Sequence, residues 1–275
     1  MIRGAGGLLL TALLLALTAC ASRGADGAGG QEPKVLTVFA AASLAEVFQE
    51  LGRTFEAAHP GVSVRFNFAG SQQLLAQLDH GARADVFASA SQQEMEAAIN
   101  ASLVVSGTQR TFARNRLIVI YPRENPGALR ELADLGRPGL KIAIADASVP
   151  VGRYTLALLK AMSDDPAFSR DIAERVLNSV VSREENVRAV VSKVRLGEVD
   201  AGIVYSSDVG GKAADELATI TIPKHLNPIA SYPIAPLADA AQPDLARQFI
   251  ELVLSQQGQE VLRAYGFIPS QTGRP

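Results

Sequence analysis

The 275-residue sequence predicts an α/β fold in two lobes, each a mostly parallel sheet flanked by helices. Three observations predict it. β-rich runs alternate with helical runs from Val35 onward. The first three strands and helices follow as consecutive βα units, a pattern that favours parallel strands with right-handed crossovers. The series then changes character near residue 113, where a strongly apolar strand opens a second set of units.

The elements follow in order. Val35–Phe39 is a short β-rich run, and small residues lead from it to Ser43. Leu44–Ala58 carries Leu44, Val47, Phe48, Leu51 and Phe55 at helical spacing and stops at His59-Pro60-Gly61. Val62–Phe68 alternates with period two, as a strand does. Gly70-Ser71 opens a helix that runs through Leu74, Leu75 and Leu78 to Gly81. Ala84–Ala88 is a strand, and Ser91 starts the next helix.

In the second set, Arg116–Tyr121 is a strand ended by Pro122, and Asn125–Leu135 is a short helix. Lys141–Ala145 is a strand and Gly152–Met162 a helix. Ala167–Leu177 and Glu184–Leu196 are further helices. Ala201–Tyr205 and Ala218–Ile222 are strands, and Ile229–Leu237 is an extended run broken by two prolines. Helices at Pro243–Ser255 and Gln257–Tyr265 end the chain. The crossings between lobes fall near Ala113–Arg116 and Leu226–Ile229. Lobe I is then 34–114 with 228–275, and lobe II is 115–227.

Composition narrows the function classes. Hydrophobic residues make up 48% of the chain, enough for a substantial core, and the net charge is -2. A nucleic-acid groove would show as a basic excess, which is missing. Trp is absent and aromatics are 5%, too few for a stacking platform. The three histidines, His59, His80 and His225, sit in turns or at helix ends, where a solvated cap is the ordinary role. The metalloprotease, dithiol, nucleophile-elbow and phosphate-loop motifs are missing, so no catalytic residue is assigned.

The first twenty residues have the form of a secretory signal: Arg3, an apolar stretch Leu8–Leu17, then Leu17-Thr18-Ala19-Cys20. The ending resembles a bacterial lipobox, which makes Cys20 the lipid anchor. An ordinary signal cleaved at a small residue is the plainer alternative. Cys20 is the only cysteine, so no internal disulfide is possible. Residues 21–33 (ASRGADGAGGQEP) are a flexible tether by composition, and the folded part is expected near Lys34.

Helix starts are the informative feature. Ser43, Ser71, the Ser148–Gly152 stretch and Asn186-Val187 each stand where a helix begins, three of them directly after a strand. The first-turn N–H groups of a helix lack intrahelical partners and carry partial positive charge, so they bind anions without a cation. Capping is the competing role for each serine taken alone. Position favours binding, because ligands of open α/β sheets sit at the carboxyl ends of the strands. Tyr205, at the end of AGIVY, is either a half-buried aromatic or a phenol donor to the same anion.

In order and spacing, AAASLAEVF (40–48), FAGSQQLLAQL (68–78), ADVFASA (84–90), VPVGRY (149–154), ENVRAVV (185–191), GIVYSSD (202–208) and GFIPS (266–270) resemble the molybdate-binding proteins of bacterial ABC transporters. The resemblance covers Lys34 to Ser270. It implies a two-lobed type II periplasmic-binding fold with a ligand cleft between the lobes. It implies that Ser43 and Ser71 donate side-chain O–H and backbone N–H, that Val151 and Val187 donate backbone N–H, and that Tyr205 donates its phenol O–H. The ligand would be molybdate or tungstate, with molybdenum held only as the oxyanion and no direct metal ligand or other cofactor. The implied partners are ABC permease subunits and the membrane that holds the lipid, with the protein a monomer outside the cytoplasm. Sulfate or thiosulfate on the same fold is the alternative, and a ferric site would need adjacent tyrosines and an acidic ligand. Val151 stands where the family often has Ala; the contact there is a backbone amide, so the side chain matters little.

Overall fold

The computed structural model describes residues 34–210 and 213–270. The signal segment, Cys20 and the tether at 21–33 lie outside the described residues.

β1 (Lys34–Ala41) buries Leu36, Val38, Ala40 and Ala41. Its small C-terminal residues allow a tight 3₁₀ turn at Ala42–Leu44, from which α1 (Ala45–Ala58) starts. α1 lays Val47, Phe48, Leu51 and Phe55 against the sheet. β2 (Val62–Ala69) runs parallel to β1, with Ala69 opposite Ala41. α2 (Ser71–Asp79) follows it. β3 (Val86–Ala88) lies on the other side of β1, also parallel, with Ala88 opposite Ala40. α3 (Gln92–Asn100) starts where Ser91 Oγ accepts the Gln93 N–H at 3.1 Å. Because the three strands are parallel and in register, their C-terminal ends share one edge. Ser43, Ser71 and Ala90 each stand two residues past such an end.

β4 (Arg110–Pro122) is longer than the apolar run predicted. Its first half, RTFARN, interleaves exposed arginines with buried Phe112, Ala113 and Asn115, so the strand signal is diluted by charge. It runs unbroken through Ala113–Arg116. The expected helix at Asn125–Leu135 is replaced by a turn and a 3₁₀ segment at Leu132–Gly136. Pro126-Gly127 breaks the helical pattern, and Asn125 and Ala128 adopt φ of 50° and 47°. The Asn125 side chain holds that turn, bonding Leu129 N–H and C=O at 2.8 Å each.

β5 (Ile142–Ala145), α4 (Pro150–Asp164), α5 (Ile172–Asn178), β6 (Val180–Glu184), α6 (Val187–Arg195) and β7 (Ala201–Tyr205) form the second set of units. The sequence does not predict β6: it has only five residues, and serine, arginine and glutamate follow one another through it. It displaces the start of the following helix from Glu184 to Val187. β5 pairs parallel with both β6 and β7. Ala145 stands opposite Glu184, so Val151, Val187 and Tyr205 also gather at one edge of carboxyl ends.

α7 (Ala213–Glu216), β8 (Leu217–Thr221), β9 (Ile229–Pro236), α8 (Pro243–Leu254), α9 (Gln256–Ala264) and β10 (Ile268–Pro269) complete the described residues. The parallel pairing holds within the βα units. The long strands pair antiparallel: β4 residues 110–116 with β9, and 117–122 with β7 and β8. Where β4 changes partners, the buried Asn227 amide bonds Leu117 N–H and C=O at 2.9 and 2.8 Å, standing in for a strand neighbour. Phe48, Phe55, Phe66, Phe112 and Phe249 pack in edge and tilted contacts on the helix side of β1 and β2.

Candidate anion-binding site

The two edges of strand ends face one cavity. Ser43 and Ser71 line it from one side, Val151 and Val187 from the other, and Tyr205 closes it. Ala42, Gly70 and Ala90 bring backbone to its wall. All five residues singled out in the sequence therefore meet in one place. Ser148 does not: its N–H and O–H both bond Asp146 Oδ1, at 2.9 and 2.8 Å, and it is exposed.

Local sequence explains the wall. Gly70 is the N-cap of α2 and Val149 that of α4, and neither has a side chain that could bond first-turn N–H groups. Pro150 at the start of α4 presets the helical φ and has no N–H to satisfy, leaving the Val151 N–H as the first of that helix. Asn186 caps α6 through Ala189 N–H at 3.1 Å and leaves the Val187 N–H free of its side chain. Gly152 is required by space: a Cβ there would lie 1.9 Å from the Asp146 carbonyl oxygen.

The side-chain donors are prepared from behind. Ser71 Oγ accepts the Ala90 N–H at 3.0 Å. Ser43 Oγ lies 3.0 Å from Tyr232 Oη. Neither serine makes a capping bond, so the capping role has no support in the geometry. Tyr205 Oη is buried with no hydrogen-bond partner among the described residues, which for a phenol is costly unless something in the cavity accepts from it. Burial pushes the Tyr205 phenol well above its ordinary value, so it stays a donor.

The cavity has room for a single small group, so an ion must shed its water shell to enter it.

Cations stand around the cavity, each paired across it. Arg188, next to Val187, reaches Glu46 Oε1 on α1 at 3.0 Å and the Ala42 carbonyl at 3.3 Å. Arg153 on α4 bonds Glu94 on α3. Gln72 and Gln73 on α2 donate to Glu185 O and Oε2 at 2.9 and 3.0 Å. None of these residues was singled out in the sequence. One signal was available: Arg153 and Arg188 lie in first turns, where a cation opposes the helix dipole and needs a compensating partner.

Asp208 lies beneath Tyr205 and accepts its N–H at 3.0 Å. Burial pushes its carboxyl up to about 7, against the pull of the Arg188 guanidinium and the Tyr205 N–H. The folded protein therefore holds a proton that the unfolded chain, titrating near 3.8, has released. Asp208 favours folding fully below about pH 4, and that contribution is lost as pH rises through 7. The gap between the folded and unfolded values corresponds to about 4 kcal/mol. Denaturant melts from pH 4 to 8 are expected to show this decline, and Asp208→Asn is expected to flatten it; an unchanged slope would refute the assignment.

Comparison with known proteins places the chain among binding proteins. Residues 36–268 match the family described as bacterial extracellular solute-binding protein. The molybdate-binding protein ModA of Mycobacterium tuberculosis is 37% identical over 264 residues, 95% of this chain and 96% of that protein. The periplasmic molybdate-binding protein of Azotobacter vinelandii superposes with a TM-score of 0.74 at 21% identity, over 86% of this chain and all (100%) of the other. The sulfate-binding protein SubI of Mycobacterium tuberculosis superposes at 0.77 with 20% identity, over 87% and 88%. At such identities the structural matches speak for the fold alone.

Proposed function

This chain belongs to the bacterial extracellular solute-binding proteins, and we propose that it captures molybdate and delivers it to the permease of an ABC importer. The observation that carries the reading is one small cavity walled by donors from the strand ends of both sets of units. A dianion there meets O–H groups of Ser43, Ser71 and Tyr205 and N–H groups of Ser43, Ser71, Val151 and Val187. Each charge-assisted bond of this kind is worth about 1.5–3 kcal/mol. The 37% identity to a molybdate-binding protein over nearly the whole chain supports molybdate over sulfate, since sulfate and molybdate binders share the fold. Tungstate, of the same charge and shape, is expected to bind as well.

Capture works by closure in this proposal. Residues 34–114 and 228–275 form one lobe and 115–227 the other, and each supplies part of the donor set. Only the closed arrangement satisfies all four oxygens, so the ligand stabilises closure through its differential contacts. The Arg188–Glu46, Arg153–Glu94 and Gln72/Gln73–Glu185 contacts must break on opening, and they are the polar ties that the closed form gains. All seven cavity contacts are donors, so a protonated oxyanion would present a hydrogen without an acceptor. Sulfate has the same charge and shape, so its rejection must come from size, its bonds being shorter.

A thermal-shift panel of molybdate, tungstate, sulfate, thiosulfate, phosphate and ferric citrate tests the assignment. A ligand at about 1,000 times its dissociation constant adds about 4 kcal/mol of stability. Molybdate and tungstate are expected to shift the melt, and a shift with sulfate or iron alone would sink the proposal.

The lipobox-like LTAC at 17–20 and the glycine-rich 21–33 support an anchor that keeps the protein at the membrane near its permease. Cys20→Ser is expected to move the protein from the membrane fraction to the soluble extracytoplasmic fraction. An unchanged distribution would remove the anchor from the proposal.

A further inference from the structure

Two serine hydroxyls face the cavity, and a hydroxyl can donate or accept. A site for a fully deprotonated oxyanion needs both to donate. For Ser71 the direction follows at once. The Ala90 amide that bonds its Oγ can only donate, so the Ser71 proton is left for the cavity.

Ser43 is less simple, because its bond to Tyr232 Oη could run either way. The ligand decides it. A fully deprotonated oxyanion only accepts, so the Ser43 hydroxyl on the cavity wall must give it the proton. Ser43 Oγ then offers its lone pair to the fully buried Tyr232 phenol, whose O–H is the donor of the 3.0 Å bond. In the complex the bonds run one way, from Tyr232 through Ser43 to the ligand.

Resting on the oxyanion-binding reading above, we propose that Tyr232 is a positioning residue that sets specificity by holding the Ser43 hydroxyl as a donor to the bound anion. Ser71 has the same arrangement with a backbone amide in the role of the phenol. Without the phenol, the Ser43 hydroxyl is free to rotate and can accept a hydrogen from a protonated anion. The cavity then loses part of its preference for oxyanions that carry no proton. Tyr232 touches no ligand in this account; Ser43 does.

The test is Tyr232→Phe, which keeps the ring and its edge contacts with Phe112, Tyr205 and Phe267. Molybdate and phosphate affinities are measured by calorimetry at pH 7 for wild type, Tyr232→Phe, Ser43→Ala and the double variant. The expected result is a fall of about fivefold or more in molybdate affinity, with phosphate affinity unchanged or higher, so that the ratio of the two falls. In the Ser43→Ala background, Tyr232→Phe should then add almost nothing. A Tyr232→Phe variant within twofold of wild type, or an equal loss for both anions, overturns the inference while the oxyanion reading stands. A wild-type protein that binds no molybdate removes both. A neutron structure of the molybdate complex decides the matter without any variant. The Tyr232 deuteron must point at Ser43 Oγ and the Ser43 deuteron at a ligand oxygen; the opposite placement overturns the proposal.

Discussion

Ser71→Ala is expected to weaken molybdate binding by about 10- to 100-fold while lowering the stability of the ligand-free protein by only about 1–2 kcal/mol, the cost of leaving the Ala90 N–H without its acceptor. The two effects separate because Ser71 caps nothing. It is the first residue of α2, where the cap is Gly70, and alanine is a better helix former. The hydroxyl has one protein partner, the Ala90 N–H, and its proton faces the cavity. Removing it leaves an anion oxygen without a donor in a space too small for water to replace it. Calorimetric titration checks the first number and a denaturant melt the second. A variant that loses stability but keeps its affinity would make Ser71 a structural residue after all.

What could be seen in the sequence was local. Ser43, Ser71 and the Ser148–Gly152 stretch stand at helix starts after strands, and that order alone suggests donors at carboxyl ends; Val187 shows only as part of a helix's first turn, because β6 before it is not legible. Tyr205 could be assigned only through the resemblance, since a phenol at a strand end has no spacing that marks it. The register that brings Ala41 beside Ala69 and Ala145 beside Glu184 depends on pairing between distant segments. The Arg188–Glu46 pair spans 142 residues and Ser43–Tyr232 spans 189, so no local pattern reports either. The misplaced elements have two physical causes. Asn125–Leu135 has helical composition but contains Pro126-Gly127, and β6 and the first half of β4 carry charges that hide their alternation. Local composition outvoted the breaker in one case, and tertiary burial outvoted composition in the others.

Gly152→Ala is expected to have a large effect, because among the described glycines an added methyl meets its closest backbone atom there. In an exposed helix interior the same change stabilises by about 0.5–1 kcal/mol. Here the sign reverses. The added Cβ would stand 1.9 Å from the Asp146 carbonyl oxygen and 2.7 Å from that of Ala145, both backbone atoms at the end of β5. No rotamer relieves a backbone overlap. Ordinary contact begins near 3.4 Å, so the start of α4 must retreat by about 1.5 Å (3.4 less 1.9). Overpacking of this kind costs about 1–3 kcal/mol. The retreat carries the Val151 N–H with it, since Val151 is the adjacent residue, and draws Arg153 away from Glu94 on α3. A donor displaced by more than about 1 Å no longer bonds the anion, and a tie across the cavity is lost with it. Molybdate affinity is expected to fall by about 100-fold or more, as for two lost charge-assisted bonds. Thermal unfolding and titration of one preparation measure both effects. If Gly152→Ala were as stable as the parent and bound molybdate as tightly, α4 could not be seated on the β5 carbonyls as described, and the cavity's second wall would have to be rebuilt from other donors.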